Sequence, residues 1–154
     1  MKAAVTIASL LALALPAAAH EGAGGNVGIG VGIGAPTALS IEVAPVPWSA
    51  FELALGRASI DEGNMYAHLV YDLDIVRLAS GPGAIVPIYV GLGGFVHDHG
   101  ITDWGARFPL GVSVNFARSP LQLFAEAAVE AVLVTDGTEH PVDVSGFGGV
   151  RVWF

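Results

Sequence analysis

The residues from Asn26 to Gly34 read N-V-G-I-G-V-G-I-G, which sets Val27, Ile29, Val31 and Ile33 on one side and Gly28, Gly30, Gly32 and Gly34 on the other. In an extended chain successive side chains point to opposite faces, so strict period two is the pattern of a β-strand with one apolar face. Trp104 to Phe116 repeats it more strongly. There Trp104, Ala106, Phe108, Leu110, Val112, Val114 and Phe116 alternate with Gly105, Arg107, Pro109, Gly111, Ser113 and Asn115.

The same alternation divides the chain into eight segments. After the first, a second begins near Ala38, with Ile41 and Val43 opposite Ser40 and Glu42, and Pro45-Val46-Pro47 ends it. The third, Ala50 to Gly56, sets Phe51, Leu53 and Leu55 against Glu52. The fourth, Met65 to Leu73, sets Leu69 and Tyr71 against Tyr66, His68 and Asp72. The fifth, Ile85 to Val96, places Val86, Ile88, Val90 and Leu92 opposite Pro87, Tyr89, Gly91, Gly93 and Phe95. Trp104 to Phe116 is the sixth. The seventh, Leu121 to Leu133, sets leucines, alanines and Val129 against Gln122, Phe124, Glu126 and Glu130. Alanine and glutamate favour helix, so helix competes there, but the alternation and the neighbouring segments favour strand. The eighth, Val142 to Phe154, opposes Val144, Val150 and Val152 to Asp143, Ser145, Phe147, Arg151 and Trp153. Between the fourth and fifth, Asp74 to Gly83 ends in the turn signal Ser80-Gly81-Pro82-Gly83, and Ile75 to Leu78 reads as a short helical turn.

The first residues are of another kind. Lys2 precedes an apolar run from Ala3 to Leu15, then Pro16 and Ala17-Ala18-Ala19, the pattern of a secretory signal peptide with its cleavage site. Such a run is too short for a spanning helix, which needs roughly 20 apolar residues. The expected division is a signal peptide at 1–19 and a single domain at 20–154, with His20 first. Cysteine is absent, so disulfides do not hold the domain. The chain carries net charge −8 at pH 7 and its one lysine lies in the leader. Nucleic acid is thereby disfavoured as a partner, because binding it requires basic charge.

Hydrophobic residues make up 53% of the chain, yet no run past residue 19 would span a membrane as a helix. Only helices and closed barrels satisfy the backbone within lipid, so a membrane location implies a barrel. Alternation alone leaves open which face is outside, since a soluble barrel has the same period with its faces reversed. Three features favour the aliphatic face outside. Tyr66, Tyr89, Phe95, Phe124, Phe147 and Trp153 share the other face with the charges; the glycines of the first segment leave room there for bulky neighbours; and lysine, common on soluble surfaces, is missing. The links also alternate, short at 45–49 and 117–120, longer and polar at 57–64, 97–103 and 135–141.

The closing Val150-Arg151-Val152-Trp153-Phe154 resembles the terminal strand of the small eight-stranded bacterial outer-membrane barrels, the group of the OmpA transmembrane domain and OmpX. Gly30 to Thr37 is similar to a glycine-rich opening hairpin in that class. The resemblance implies an all-β fold, an eight-stranded antiparallel up-and-down transmembrane β-barrel after a cleaved signal peptide. It also implies location in the cell outer membrane among its lipids, with Phe154 read as an assembly signal by the barrel-assembly machinery.

On this reading Glu42, Glu52, Asp72, Glu126, Glu130 and Asp143 face the lumen with Arg107 and Arg151. In so narrow a barrel they form a polar network in which the arginines bridge carboxylates, or else line a thin cation path. Glu126 and Glu130, four apart on a strand, stand about 13 Å apart by strand rise, too far for paired-carboxylate chemistry. His97-Asp98-His99 and His140 offer imidazoles to a metal ion, though a solvated acidic loop explains them as well, and no metal or cofactor is expected. His68 reads as a hydrogen-bonded lumen residue. No serine stands beside a histidine in sequence, so no hydrolytic triad is assigned. The expected role is structural or surface-interacting, without catalysis; a narrow pore or small-ligand barrel is the alternative, and a lipid-modifying enzyme the third reading.

Overall fold

The computed structural model describes residues 25–58, 64–79, 83–134 and 142–154. Eight strands follow one another: β1 (Val27–Ala35), β2 (Thr37–Val46), β3 (Ser49–Arg57), β4 (Met65–Ala79), β5 (Ala84–Asp98), β6 (Thr102–Phe116), β7 (Leu121–Val134) and β8 (Val142–Trp153). Each pairs antiparallel with the next, and β1 pairs with β8, so the sheet closes on itself. Closure leaves no strand edge with unpaired backbone groups. Residues 1–24, which hold the expected signal peptide at 1–19 and His20, together with 59–63, 80–82 and 135–141, which include His140, lie outside the described residues.

The two faces divide as the alternation requires. Leu110, Val112, Leu123 and Val152 point outward and are exposed, and Val114 outward and half-buried; Arg107, Glu126 and Arg151 are inside and buried. Cross-strand register keeps like with like. Ile29 sits between Ile41 and Val152 on the outer wall, while Gly30 sits between Ser40 and Arg151 on the inner one. The interior is thus filled by polar and aromatic side chains, and large aliphatic groups cover the exterior.

Glycine makes that filling possible at specific points. A Cβ added at Gly111 would stand 2.2 Å from Cζ of Tyr89, its cross-strand partner, and one at Gly32 would stand 2.3 Å from Cδ2 of Phe147. On the inner face of β1, Gly32 leaves room for the Phe147 ring, Gly28 for Trp153 and Arg151, and Gly30 for Arg151.

Two expectations are corrected. Ile75 to Leu78 is not a helical turn, because β4 continues to Ala79 and Val76, Arg77 and Leu78 pair with Ile88, Pro87 and Val86 of β5. A register shift between Asp74 and Val76 breaks the alternation there. Such a bulge adds one residue and moves the following side chains to the other face, which in sequence looks like the end of a strand. The Asp74–Arg77 ion pair, at 2.9 Å and three residues apart, adds to the helical likeness. Likewise the link read as 97–103 shrinks to His99, Gly100 and Ile101, because His97 pairs with Asp103 and Asp98 with Thr102. Gly100 takes φ +92° at this turn, a conformation glycine adopts without strain.

β7 is a strand despite its alanines and glutamates. Its partners on both sides, β6 and β8, supply a continuous ladder, and tertiary pairing overrides a modest helix propensity.

Candidate functional site

Two arginines organise the barrel interior. Arg107 on β6 has Gly93 beside it on β5 and Glu130 beside it on β7, so one neighbour leaves room for the guanidinium and the other supplies a carboxylate. Its Nη1 donates to Glu130 Oε1, to Ser145 Oγ at 2.6 Å and to Tyr66 Oη at 3.1 Å, and its Nη2 donates to Glu126 Oε1. Ser145 Oγ donates to Glu130 at 2.7 Å, and Tyr89 Oη donates to Glu126 Oε2 at 3.2 Å. Side chains from β4, β7 and β8 thus meet on one cation from β6, and β5 joins them through Tyr89 on Glu126.

Arg151 on β8 repeats the design nearer the termini, between Gly30 of β1 and Gln122 of β7. It donates to Glu42 Oε2, to Glu52 Oε1 at 2.8 Å, to Ser40 Oγ at 2.7 Å and to Gln122 Oε1 at 2.8 Å. Ser40 Oγ in turn donates to Glu52 at 2.7 Å. The guanidinium carbon lies 4.3 Å from the centroid of the Phe124 ring, a cation–π contact in a buried place. Buried charge is tolerated when paired and hydrogen-bonded, and both arginines are paired with two carboxylates each, although Arg107 Nε has no hydrogen-bond partner.

The structure places Glu42, Glu52 and Arg151 in one cluster and Arg107, Glu126 and Glu130 in another, and it departs from the sequence reading at three points. Asp143 is on the inward-facing register of β8 but lies exposed near the strand's end, where its Oδ1 accepts from the Val144 amide at 2.7 Å. Burial fails there because β8 has only just begun. Glu126 and Glu130, though four apart, both reach Arg107, because long side chains lean toward a shared cation and close the gap that strand rise sets. His68 is inside and buried, but neither ring nitrogen has a hydrogen-bond partner. Rings hold it instead, with Tyr66 at 5.7 Å and Phe147 at 5.8 Å, both edge-on. Asp72 is also buried as expected, and its Oδ1 lacks a hydrogen-bond partner.

Ser40, Gln122, Ser145, Tyr66 and Tyr89 are the functional neighbours that reasoning on charge alone passes over. Their signal was parity, since each shares the inner face with the acids. Between Glu42, Glu52, Asp72 and Arg151 remains a cavity of about 20 Å³, room for roughly one or two waters.

At the mouth opposite the termini, His97 and Asp103 face each other across β5 and β6, and His99 follows two residues on. One ligand atom from each of the three lies within 4.8 Å of the others. His99 Nδ1 is 3.9 Å from Asp103 Oδ2, and the two imidazole centroids are 4.7 Å apart. Asp103, absent from the sequence-level candidates, is buried.

Chemically, the two arginine clusters are closed sets. Their carboxylates are engaged by guanidinium and hydroxyl groups, and Glu42 and Glu52 also line the small cavity beside Arg151. No family model matches the chain, and no match was found among curated proteins or solved structures.

Proposed function

We propose that this chain is an outer-membrane β-barrel protein with a structural or surface-interaction role and no catalysis of its own, exported by a signal peptide at residues 1–19. The observation that carries the reading is the inverted polarity of the barrel. Ile29, Val31, Leu39, Leu55, Leu69, Leu92, Leu110 and Val129 stand exposed around the middle of the wall, while the charges are inside. On a water-soluble barrel that wall would be an apolar patch far beyond the few hundred Å² such proteins expose. Against lipid it is the expected surface.

Strand length and aromatic placement support the same reading. The strands run from 9 to 15 residues, and crossing a bilayer takes about 9–11. Trp48, Phe51, Tyr71, Phe116 and Phe154 lie toward the end that holds the termini, and Trp104 toward the other, as in the aromatic girdles of such barrels. Phe154, exposed just past β8, suits recognition by assembly machinery. The packed interior supports a structural role over a conduit.

Fractionation of a Gram-negative host expressing the full chain tests the reading. The protein is expected in the outer membrane, migrating faster on gels before boiling than after. Recovery in the soluble periplasmic fraction would overturn it.

A further inference from the structure

We propose that His97, His99 and Asp103 form a binding site for a divalent transition-metal ion of the zinc or copper kind, at the mouth opposite the termini. The register of β5 and β6 builds the site. His97 and Asp103 are a directly opposed pair on the inner face, and the three-residue turn at His99 to Ile101 carries His99 back over them. The turn itself is fixed, with the His99 amide donating to Ile101 O at 3.1 Å and the Gly100 amide to Asp98 Oδ1 at 3.2 Å.

Two details point to a ligand rather than to a chance gathering. His97 Nε2 is buried without a hydrogen-bond partner, an arrangement that a metal ion at its lone pair resolves. The spacing is also close to what a metal requires. A tetrahedral site with bonds of about 2.1 Å sets ligand atoms roughly 3.4 Å apart. His99 Nδ1 and Asp103 Oδ2 already stand at 3.9 Å, and all three ligand atoms fall within 4.8 Å. The exposed His99 can rotate to narrow its gap to Asp103.

Two imidazoles and one carboxylate suit zinc and copper and do not suit magnesium or calcium, which take oxygen ligands. Three protein ligands leave a fourth position for water or an external donor. The surroundings attract cations. Asp98 is adjacent in sequence and exposed, and it adds negative charge beside the cluster. Beneath the site the Tyr66 ring lies 6.2 Å from the His97 ring and stacks on Phe95 at 6.1 Å, and its hydroxyl reaches down to Arg107 at 3.1 Å. The inference does not depend on what surrounds the barrel wall.

The test is titration of the purified, folded mature protein with Zn²⁺ against a chromophoric chelator, in a background with His20→Gln and His140→Gln so that other imidazoles do not contribute. One equivalent of zinc per chain is expected, unaffected by excess Ca²⁺, with affinity falling at least tenfold on His99→Gln or Asp103→Asn. Because His99 lies on an exposed turn, its variant retains the fold, and gel mobility before boiling verifies that. Co²⁺ should give the intense visible bands of a four- or five-coordinate site. Absence of zinc binding, equal affinity in His99→Gln, or the weak spectrum of hexa-aqua cobalt would each overturn the proposal.

Discussion

Replacing Arg107 with methionine removes the cation that both Glu126 and Glu130 share, while keeping a side chain of comparable length. Arg107 has no exposed surface, and the two glutamates are almost as buried, so neither can turn to bulk water. Removing one partner of a buried ion pair typically costs about 3 to 5 kcal/mol. Two carboxylates on one guanidinium place Arg107→Met at the upper end of that range. Set against a net stability of about 5 to 15 kcal/mol for a domain, the loss is a large share of the whole. The reasoning makes a second demand. If the cost is orphaned charge rather than lost packing, Arg107→Met with Glu126→Gln and Glu130→Gln should recover at least half of it, since Tyr66, Tyr89 and Ser145 can still hydrogen-bond to the amides. Lowering the pH should also narrow the gap between Arg107→Met and the parent, because a protonated carboxyl carries no charge to bury. Urea unfolding in detergent, followed by tryptophan fluorescence at neutral and acidic pH, measures all three. A single variant as stable as the parent at neutral pH would refute the argument, and would mean that water reaches the glutamates and screens them.

Three further outcomes are expected. Gly111→Val forces a branched side chain into the ring of Tyr89, and overpacking of this kind costs about 1 to 3 kcal/mol; Tyr89→Leu in the same chain should relieve part of it, and an additive pair would show that the two do not touch. Val112→Arg places a charge on the outer wall and should cost about 2 to 4 kcal/mol in lipid vesicles if the residue lies near the bilayer midplane; a neutral result there would remove the lipid from the proposed function. Deleting Phe154 should lower insertion in cells while leaving refolding in detergent nearly unchanged, and equal insertion of deletion and parent would count against an assembly signal.

Most of the fold was legible because an eight-stranded barrel is written in period two. Each strand from β1 to β8 carries it, and even the alanine-rich β7 kept its inner set of Gln122, Phe124, Glu126, Ala128 and Glu130 in step. What was not legible falls where period two is interrupted by one residue or where side-chain reach matters. The bulge after Asp74 shifts parity, and with Asp74 and Arg77 three apart it imitates a helix. Strand ends were misjudged at His97 and Asp103, which look like loop residues in sequence but pair across β5 and β6. Strand rise located the backbones of Glu126 and Glu130 correctly and still misplaced their carboxylates. His68 failed for another reason, since a sequence lists its neighbours by type and gives no hint that rings rather than polar groups will surround it.

The distribution of polarity also limits where a barrel of this kind can act. Among the described residues its interior is occupied by two arginine clusters and the rings between them, with a small cavity beside Arg151. Its wall is aliphatic through the middle of the strands and presents no charged group there to recognise a specific partner. Contact with a polar ligand therefore falls to the rims. At the terminal end the links are short, as at Pro47 and Trp48 between β2 and β3, and Arg77 ties that turn to β4 through Pro47 O and Asp74. The opposite rim carries the His97, His99 and Asp103 cluster. On the proposed function a surface interaction falls at that rim, and exchanging residues 58–64 and 135–141 for short glycine-serine turns should abolish such binding while the barrel still folds, because the partners that Arg107 and Arg151 hold among the described residues all sit on strands.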